Sequence, residues 1–387
     1  MFEPSYTAAL SRLQAFVPKA GRDYAAMRNH DDTAHVSTLS PYIRHRIITE
    51  EDVLRATLAR HSPQAAEKFV QEVFWRTYWK GWLEMRPSVW ASYRADLQAA
   101  LNRVQTESGL RKEWEAACNG ETGIDAFDHW ARQLVEMGYL HNHARMWFAS
   151  IWIFTLRLPW VLGADFFMRH LLDGDPASNT LSWRWVGGLQ TVGKTYLATA
   201  DNIAKYTQGR FRPDGLAQFV APLDGPPHPP RGPLPVSDPL PPVASSALLV
   251  TEEDMSLGWL LDRYQPQRTV IVQTTAARSP LEVSDRVTGF VAGALQDAAG
   301  RFDGRLGEVA FLAPDRLGDW CKGQKVETLV TSFIPTGPTR DALQGVGLSR
   351  QLRPYDSAAW PHATHGFFRF KEKIPALLGQ MRGIRAA

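Results

Sequence analysis

Cysteine is nearly absent from this sequence of 387 residues, which contains only Cys118 and Cys321. Two cysteines so far apart cannot build a disulfide framework, a zinc knuckle or a four-cysteine iron–sulfur site. Long apolar runs are missing as well, since the longest, residues 146–156, is too short to span a bilayer. Because the N-terminal segment also lacks the apolar centre of a signal peptide, we expect no membrane association and a cytoplasmic location.

The excess of positive charge is small over the whole chain, at +3, and does not by itself indicate a nucleic-acid partner. The charge is distributed unevenly, however. Between Asn142 and Arg212, eight lysines and arginines stand against four aspartates, which gives a local charge of +4. This bias is a weak indication of an anionic partner.

Helical patterns dominate residues 1 to about 212, where no stretch keeps the alternation of a strand for long. Ser62 and Pro63 predict the start of a helix that runs on through EKFVQEVFWRTYWKGWLEM, because serine caps a helix and proline suits its first position. Further helices are predicted from about Asp125, through ARMWFASIWIF, and through DFFMRHLLDG, which Gly174 closes.

Proline crowds the next segment, in which residues 222–242 hold ten of the chain's 26 prolines. Such a segment is an extended linker that joins neither the helices before it nor a sheet after it. Beyond it, the runs ALLVT, TVIVQT and EVAFLA alternate with helical patterns such as SDRVTGFVAGALQDAAG, which predicts a parallel sheet. The predicted fold is α plus α/β: a helical domain over 1–212, a linker over 213–245 and a small Rossmann-like α/β domain over 246–387.

Tryptophan is concentrated in the helical region, where eleven of the chain's 14 lie between Trp75 and Trp185. An indole is large and usually needs a partner for its N–H group, so this crowding favours more than core packing. Polar side chains suited to a heteroaromatic ligand share the segment: Asn142, Arg145, Asp173, Asp175 and Asn179. A large planar ligand fits this mixture, whereas the spacing of the histidines and the few carboxylates do not fit a metal.

Two further motifs fit a ligand site but also have ordinary structural explanations. Ser40 and the proline after it begin a helix next to the hydroxyls of Ser37 and Thr38, which suits either a phosphate or a plain capped helix. Glu72 and Arg76 lie one helical turn apart beside a tryptophan stripe. This spacing suits either two residues of a ligand pocket or an ion pair on the protein surface. Taken singly, the structural explanation is favoured for each.

The segment GLQTVGKT, residues 188–195, matches the phosphate-loop pattern of nucleotide-triphosphate enzymes. Such a loop follows a hydrophobic strand and needs a second strand that ends in an acidic residue. The preceding LSWRWVG is a poor central strand, and EVAFLAPD offers its aspartate only across the linker. A nucleotide-triphosphate site around Lys194 is therefore the least favoured interpretation.

In their order along the chain, the motifs resemble the FAD-binding helical domain of the DNA photolyase/cryptochrome family. The resemblance covers roughly residues 24–211 and rests on Tyr24 followed by Arg28 and Asn29, then on STLSPY, EVFWR, GYLHNHARM, LLDGDPASN and SWRW. In the family an α/β antenna domain precedes the helical domain, whereas here the α/β-like part follows it, so the likeness implies a circular permutation. Whether the α/β part holds a second, antenna chromophore is left open.

The resemblance implies FAD as the cofactor, held in a U-shape. Its pyrophosphate and ribityl chain would be gripped by Tyr24, Ser37, Thr38, Leu39 and Ser40. Its isoalloxazine and adenine would be surrounded by Asn142, Arg145, Asp173 and Asp175. Arg76 would line the flavin pocket, and Asn179 would approach N5 of the flavin and stabilise its reduced form.

The resemblance also implies a repair site and a path for electrons. Glu72 would face the substrate, and the cavity for a flipped-out pyrimidine dimer would be walled by Trp75 and Trp185. Trp183 and Trp160 match the inner and middle members of the tryptophan chain that reduces photoexcited flavin.

This sequence departs from the family's pattern at several positions. Tyr139 stands where cyclobutane-dimer photolyases commonly have tryptophan, and His143 replaces an arginine often used on DNA phosphate. The outermost tryptophan of the electron chain is missing, although Trp90 or Trp114 could substitute for it. Asn142 stands where the (6-4) branch has histidine, which argues against that chemistry.

We therefore expect a blue-light-dependent FAD flavoprotein. In the leading interpretation it is a DNA photolyase that splits cyclobutane pyrimidine dimers and binds damaged DNA, as Glu72, Trp75 and the basic bias favour. The alternative is a cryptochrome-like photoreceptor that signals through a protein partner without repair, as Tyr139 and His143 favour. The phosphate-loop NTPase is a remote third interpretation.

Overall fold

The computed structural model describes residues 2–381. Met1 and residues 382–387, at the ends of the first and last predicted domains, lie outside the described residues. No helix within residues 2–381 is both long and apolar enough to cross a membrane.

Helix follows helix in the first part of the chain, as the periodicity predicts. The bounds are α1 Tyr6–Phe16, α2 Arg22–Met27, α3 Ser40–Arg44, α4 Glu50–Leu58, α5 Glu67–Glu84, α6 Ser88–Thr106, α7 Ser108–Asn119, α8 Asp125–Met137, α9 Asn142–Ser150, α10 Trp160–His170, α11 Pro176–Val186 and α12 Ala200–Tyr206. The long helix α5 is buried on most sides, because it carries apolar residues around much of its circumference rather than on one stripe.

Two predicted helix limits are wrong. Helix α5 begins at Glu67 instead of Pro63, since Ser62 closes a separate turn in which its hydroxyl accepts a hydrogen bond from the Ala65 amide at 3.2 Å. Helix α10 ends at His170, and Gly174 lies in the turn that leads into α11. The predicted helix over ARMWFASIWIF is confirmed, with a π-helical turn over Ile151–Thr155 as its last part.

A five-stranded parallel sheet in the order β3-β2-β1-β4-β5 follows, so the predicted parallel sheet is confirmed. Its elements are β1 Ser246–Val250, α13 Gly258–Leu261, β2 Arg268–Val272, α14 Asp285–Arg301, β3 Glu308–Leu312, α15 Leu317–Gln324, β4 Thr328–Ser332, α16 Pro338–Ala342, β5 Leu348–Gln351, α17 Pro354–Ala359, α18 Phe367–Lys371 and α19 Ile374–Gln380. The runs ALLVT, TVIVQT and EVAFLA correspond to β1, β2 and β3.

The sheet has a hydrophobic core on each face, because side chains alternate along a strand. On β1, Leu248 and Val250 belong to the large core that also contains the helices of the first part. Ala247 and Leu249 belong to a second core on the opposite face. Strand β1 is buried at every position for this reason.

The proline-rich segment stays outside regular helices and strands between residues 213 and 242, as predicted, but it is not a free tether. Near its start, the Leu223 amide donates to the Gly187 carbonyl at 2.9 Å. Near its end, the Asp238 amide donates to the Arg350 carbonyl at 2.9 Å, and the Arg350 amide donates to the Asp238 carboxylate at 2.8 Å. The segment therefore covers the β5 edge of the sheet, which the expectation of an unattached linker did not include.

Buried ion pairs join the helices to the α/β part. Arg44 of α3 donates to both carboxylate oxygens of Glu253 at 2.7 and 2.8 Å, and its Nε lies 3.8 Å from Asp175. Arg44 and Glu253 are 1% and 4% exposed, respectively. A charge so far from water is tolerable only when it is paired, so these contacts fix how the two parts meet.

A second set of ion pairs lies beside the first. Arg46 donates to Asp356 at 2.7 and 2.8 Å and lies 3.4 Å from Glu50. Arg353 donates to both oxygens of Asp254 at 2.6 and 2.8 Å. Each of these side chains is at most 7% exposed, so solvent screens the pairs weakly.

We predict that the variant Glu253→Gln is strongly destabilised, by about 3–5 kcal/mol, because Arg44 loses its partner while still buried. Burial opposes the ionisation of Glu253, but Arg44 outweighs it and lowers the pKa of Glu253 to about 2. A depressed pKa contributes stability above the unfolded value of about 4.3, and that stability is lost as the pH falls towards 2.

Urea unfolding at pH 7, 4 and 3 tests this, with the exposed Glu107→Gln as the control for loss of one carboxylate. The difference in the free energy of unfolding between Glu253→Gln and the native chain should become smaller as the pH falls. A difference that stays constant from pH 7 to pH 3 would contradict the pairing of Glu253 with Arg44.

Candidate functional site

Tyr24, Arg28 and Glu72 form one corner of the predicted site. Tyr24 lies on α2 with its ring in edge contact with Phe16 at 5.9 Å and Phe69 at 5.2 Å. Burial raises the pKa of Tyr24, so its phenol stays protonated and can donate a hydrogen bond. Glu72 forms an ion pair with Arg28, not with Arg76. The predicted i,i+4 pair on α5 is therefore wrong.

The segment before α3 has an unusual backbone. Thr38 has a φ of +50°, in the left-handed region that a β-branched residue rarely adopts. Its hydroxyl accepts from Arg12 at 2.6 Å and donates to the Ser37 carbonyl at 2.7 Å, and the Leu39 amide donates to the Ser37 hydroxyl at 3.3 Å. Ser40 is the first residue of α3. Such strain persists where surrounding contacts hold it, as it often does at ligand sites.

Arg145 and Asp173, one from α9 and one from the turn before α11, are brought together as predicted. The guanidinium of Arg145 donates to the Asp173 carboxylate at 2.9 Å and to the Leu140 carbonyl at 2.9 Å. It also lies 5.6 Å from the ring centroid of Tyr139. The other oxygen of Asp173, Oδ1, is buried and has no hydrogen-bond partner. This oxygen is an acceptor available to a ligand N–H group.

Arg76 and Asp175 also meet, but inside the buried ion network. Asp175 caps α11 by accepting from the Ser178 amide at 2.8 Å, and it lies 3.1 Å from Arg76 and 3.8 Å from Lys80. Burial alone would raise the pKa of Asp175, but the cations, Arg76 first, lower it. The structure therefore gives Asp175 full structural partners, whereas Nε of Arg76 makes no hydrogen bond.

Helix α11 adds further polar atoms without partners. The indole N–H of Trp183 is buried without an acceptor, and so is the hydroxyl of Thr180. Asn179 donates to the Ala164 carbonyl at 2.8 Å, which holds its amide in place. A buried polar group without a partner is costly, so an acceptor at Asp173 and donors on α11 fit the polar edges of a bound heteroaromatic ring.

Trp183 is packed closely in this helix. A Cβ at Gly163 would lie 2.3 Å from the ring of Trp183, so only glycine permits this approach. The nearest rings to Trp183 are Phe167 at 5.1 Å and Trp152 at 6.2 Å, while Trp160 lies one turn before Gly163 and contacts Tyr93 at 5.7 Å. No direct ring contact joins Trp183 to Trp160 among the described residues.

The predicted walls of the substrate cavity are stacked against other rings of the chain. Trp75 lies parallel to Phe367 of α18, with centroids 3.7 Å apart and planes 11° apart. Trp185 stacks on Tyr196 at 5.8 Å. Tyr139 contacts Phe2 at 5.6 Å. One face of Trp75 is therefore occupied within the folded chain.

Asn142 and His143, the first two residues of α9, were predicted for the flavin and substrate sites and differ in their exposure to solvent. Asn142 is exposed at the start of the helix. His143 is hydrogen-bonded on both sides, to the Asn29 carbonyl at 2.9 Å and to the Tyr196 hydroxyl at 3.1 Å. Burial lowers the pKa of His143, so it is neutral at pH 7 and does not replace the charge of a phosphate-binding arginine.

The phosphate-loop motif follows a helix and not a strand. Residues 187–193 form turns directly after α11, with Gly188 and Gly193 at φ of +80° and +82°, and Lys194 and Thr195 follow in irregular backbone. A phosphate loop needs the strand that precedes it, and none occurs within residues 2–245. The structure thus lacks the context that the NTPase interpretation requires.

Residues 69–221 match the family model described as the FAD binding domain of DNA photolyase. This part of the chain is similar to the FAD-binding domain of photolyases. The deoxyribodipyrimidine photo-lyase of Synechococcus sp. is 34% identical over 191 residues, which are 47% of this chain and 38% of the relative. That of Thermus thermophilus is 33% identical over 201 residues, which are 50% and 45% of the two chains. FAD as the cofactor of this photolyase-type domain is thereby confirmed.

A solved bacterial class III photolyase from Agrobacterium tumefaciens is 27% identical and is matched over 52% of this chain and 42% of its own, with a TM-score of 0.42. The chain spans less than half the length of each of these relatives. The likeness therefore concerns only residues 69–221 and their surroundings, not the whole chain.

Several residues of the site were not identified as such from the sequence. Arg12 and Phe2 come from the N-terminal segment, Phe367 from α18, and Tyr196 from the position directly after the phosphate-loop match. These residues lie far in sequence from the motifs they contact, and no local pattern marks them. Arg28 belonged to a recognised motif, but its pairing with Glu72 follows only from the fold.

We predict that Asp173→Asn weakens FAD binding by roughly tenfold or more, because it removes a charged acceptor and its pair with Arg145 while keeping the side-chain shape. Titration of the flavin-free protein with FAD, followed by quenching of flavin fluorescence, measures the affinity. Asp201→Asn, on the exposed α12, removes the same charge away from the site and should leave the affinity unchanged. Equal affinities for the two variants would remove Asp173 from the FAD site.

Proposed function

We propose that this protein is a light-dependent DNA photolyase that splits cyclobutane pyrimidine dimers with FAD as its cofactor. The observation that carries the proposal is the Arg145–Asp173 pair, whose free buried oxygen faces no protein partner, within a segment that matches the FAD-binding domain. Curated relatives that share this segment are deoxyribodipyrimidine photo-lyases.

We also propose the division into a helical domain over 1–212, a linker over 213–245 and an α/β domain over 246–387. The α/β part would be an antenna-like domain in circularly permuted order. The change from helices to a parallel sheet across the proline-rich segment supports this division. The proposal names no second chromophore, and a cytoplasmic location stays a prediction.

In the proposed mechanism, the residues of the site hold FAD dry and orient it. Bound FAD supplies light-driven electron transfer, so the protein needs no general acid–base pair or nucleophile. Asp173 would accept from a ring N–H group, and Asn179 is held by the Ala164 carbonyl with its amide oxygen free to face the ring. Tyr24 and the strained turn at Thr38 would position the polar tail of the cofactor.

The substrate side would use groups from α5. Glu72 and Trp75 are only partly buried, unlike most of that helix, and both therefore reach the surface. Trp75 would offer the face that Phe367 does not cover, and an extruded base would stack on it. The ion pair with Arg28 fixes the position of the Glu72 carboxylate.

Repair is tested with an oligonucleotide that contains one thymine dimer. The purified protein with FAD and a thiol reductant should restore the two thymines under blue light and not in the dark, as measured by chromatography of the products. The control is the Asp173→Asn variant under the same illumination, which should repair less in proportion to its lost flavin. Bound, photoreducible flavin without any repair would point to the photoreceptor alternative instead.

We predict that Trp183→Phe abolishes photoreduction of the bound flavin, because Trp183 is the predicted inner electron donor. Beyond Trp160 the ring contacts continue to Tyr93 at 5.7 Å and from there to Trp90 at 5.2 Å. The Trp90 indole donates to the Asp341 carboxylate at 2.8 Å, which can take the proton of an oxidised indole. Trp90→Phe should therefore slow photoreduction.

Absorbance of the bound flavin during blue illumination measures both effects. Trp114→Phe is the matched control, because Trp114 makes no ring contact with the described residues. Its photoreduction should be unchanged. If photoreduction is slower in Trp114→Phe and unchanged in Trp90→Phe, then Trp114 and not Trp90 is the outermost electron donor.

A further inference from the structure

A cluster of cations lies away from the predicted flavin site, where the end of α5, the end of α11 and the proline-rich segment meet. Arg86 follows α5 and is 8% exposed. Its guanidinium lies 4.3 Å from the ring centroid of Trp82 and donates to the Thr364 carbonyl at 3.0 Å. Its Nε is buried without a hydrogen-bond partner.

Arg184 contributes a second guanidinium from the last turn of α11. It is also 8% exposed, and its Nε is buried without a partner. Neither Arg184 nor Arg86 has a carboxylate within ion-pair distance in the part of the chain that the structure describes. Arg184 makes no side-chain hydrogen bond there.

His228 of the proline-rich segment connects the two arginines. Its ring packs on Trp82 at 5.2 Å, and its Nε2 lies 3.0 Å from the Gln190 carbonyl. The Gln190 amide in turn donates to the Arg184 carbonyl at 3.1 Å. Two more polar atoms here, Nδ1 of His228 and Oε1 of Gln190, are buried without partners.

The charges of this cluster are not balanced by other side chains among residues 2–381. Burial lowers the pKa of Arg86, and the neighbouring Arg231 lowers it further. Burial also lowers the pKa of Arg184, which Asp96 offsets only in part. For His228, burial and the charges of Arg184 and Arg86 lower the pKa.

Ordinary structural effects do not compensate the positive charges of Arg86 and Arg184. An arginine in the last turn of a helix benefits from the helix dipole, which amounts to about half a charge at that end. That partial charge serves one cation, whereas two nearly buried guanidinium groups gather here beside Arg231. Asp224 of the linker forms no ion pair with any of them within residues 2–381. The missing component is therefore an anion.

We propose that Arg86 and Arg184, on either side of the segment that contains His228, form a binding site for a phosphate group. Paired guanidinium groups with unused N–H donors suit the oxygens of a phosphate monoester or diester. Gln190, in the turns that follow α11, forms one border of the site. The phosphate could belong to a small phosphorylated molecule or to the backbone of a nucleic acid.

The first test uses inorganic phosphate alone. Thermal unfolding of the purified chain is followed in chloride buffer while phosphate is added at constant ionic strength. Phosphate should raise the Tm of the native protein, and Arg184→Gln should weaken the apparent affinity roughly tenfold or more, as expected for loss of a charged hydrogen-bond donor. Arg316→Gln, an exposed arginine after β3, is the matched control and should behave as the native chain.

A folding defect is distinguished from a binding defect by the phosphate-free samples. There Arg184→Gln should unfold at the same or a higher temperature, because an unpaired buried cation has been removed. Arg86→Gln is a second, independent variant with the same expectation for phosphate. The proposal is overturned if phosphate raises the Tm of the native chain no more than chloride does at the same ionic strength. It is also overturned if phosphate raises the Tm of Arg184→Gln as much as that of the native chain.

A second arm identifies the source of the phosphate. Binding of a labelled, undamaged single-stranded oligonucleotide is measured by fluorescence anisotropy, with inorganic phosphate as competitor. Competition together with weaker binding by Arg184→Gln assigns the site to nucleic-acid backbone. Phosphate binding without that competition assigns it to a small phosphorylated molecule. Neither arm needs flavin or light, so a failure of the proposed repair activity does not affect the result.

Discussion

Buried ion pairs between the helices and the sheet are the contacts on which the rest of this structure depends. Arg44 and Glu253 meet through two hydrogen bonds while both are almost excluded from water. Neither charge is tolerable in that position without the other. The ion pairs therefore dictate one arrangement of the two parts, whereas an apolar contact would permit small shifts. The large hydrophobic core, which contains residues from both parts, then packs around that arrangement.

The predicted flavin site inherits its geometry from this network. Asp175 is fixed by Arg76, Lys80 and Arg44, and it also caps α11. The turn before α11 is thereby held at one end by the network and at the other by the pair of Arg145 with Asp173. Asp173 consequently presents its free oxygen in a defined direction. A site positioned in this way is preorganised for its ligand.

Much of the fold could be predicted from the sequence, because periodicity, proline content and motif order are local properties. They identified the helices, the parallel sheet and the likeness to the FAD-binding domain of photolyases. The predicted start of α5 was wrong because serine suits both a helix cap and a turn. Ser62 belongs to a turn, and α5 begins five residues later, at Glu67. The pairing of Glu72 with Arg28, and of Trp75 with Phe367, could not be predicted, since the partners lie 44 and almost 300 positions away and only the tertiary fold brings them together.

The sequence separation of the ion pairs has a consequence for the order in which the chain folds. Arg44 is 209 positions from Glu253, and Arg46 is 310 positions from Asp356. Contacts of such high order form late, because long loops must close before the contacts contribute. On the ribosome, the helices emerge with Arg44 and Arg46 already present but with Glu253 and Asp356 not yet synthesised. The helical region therefore completes its interior only when the end of the chain arrives.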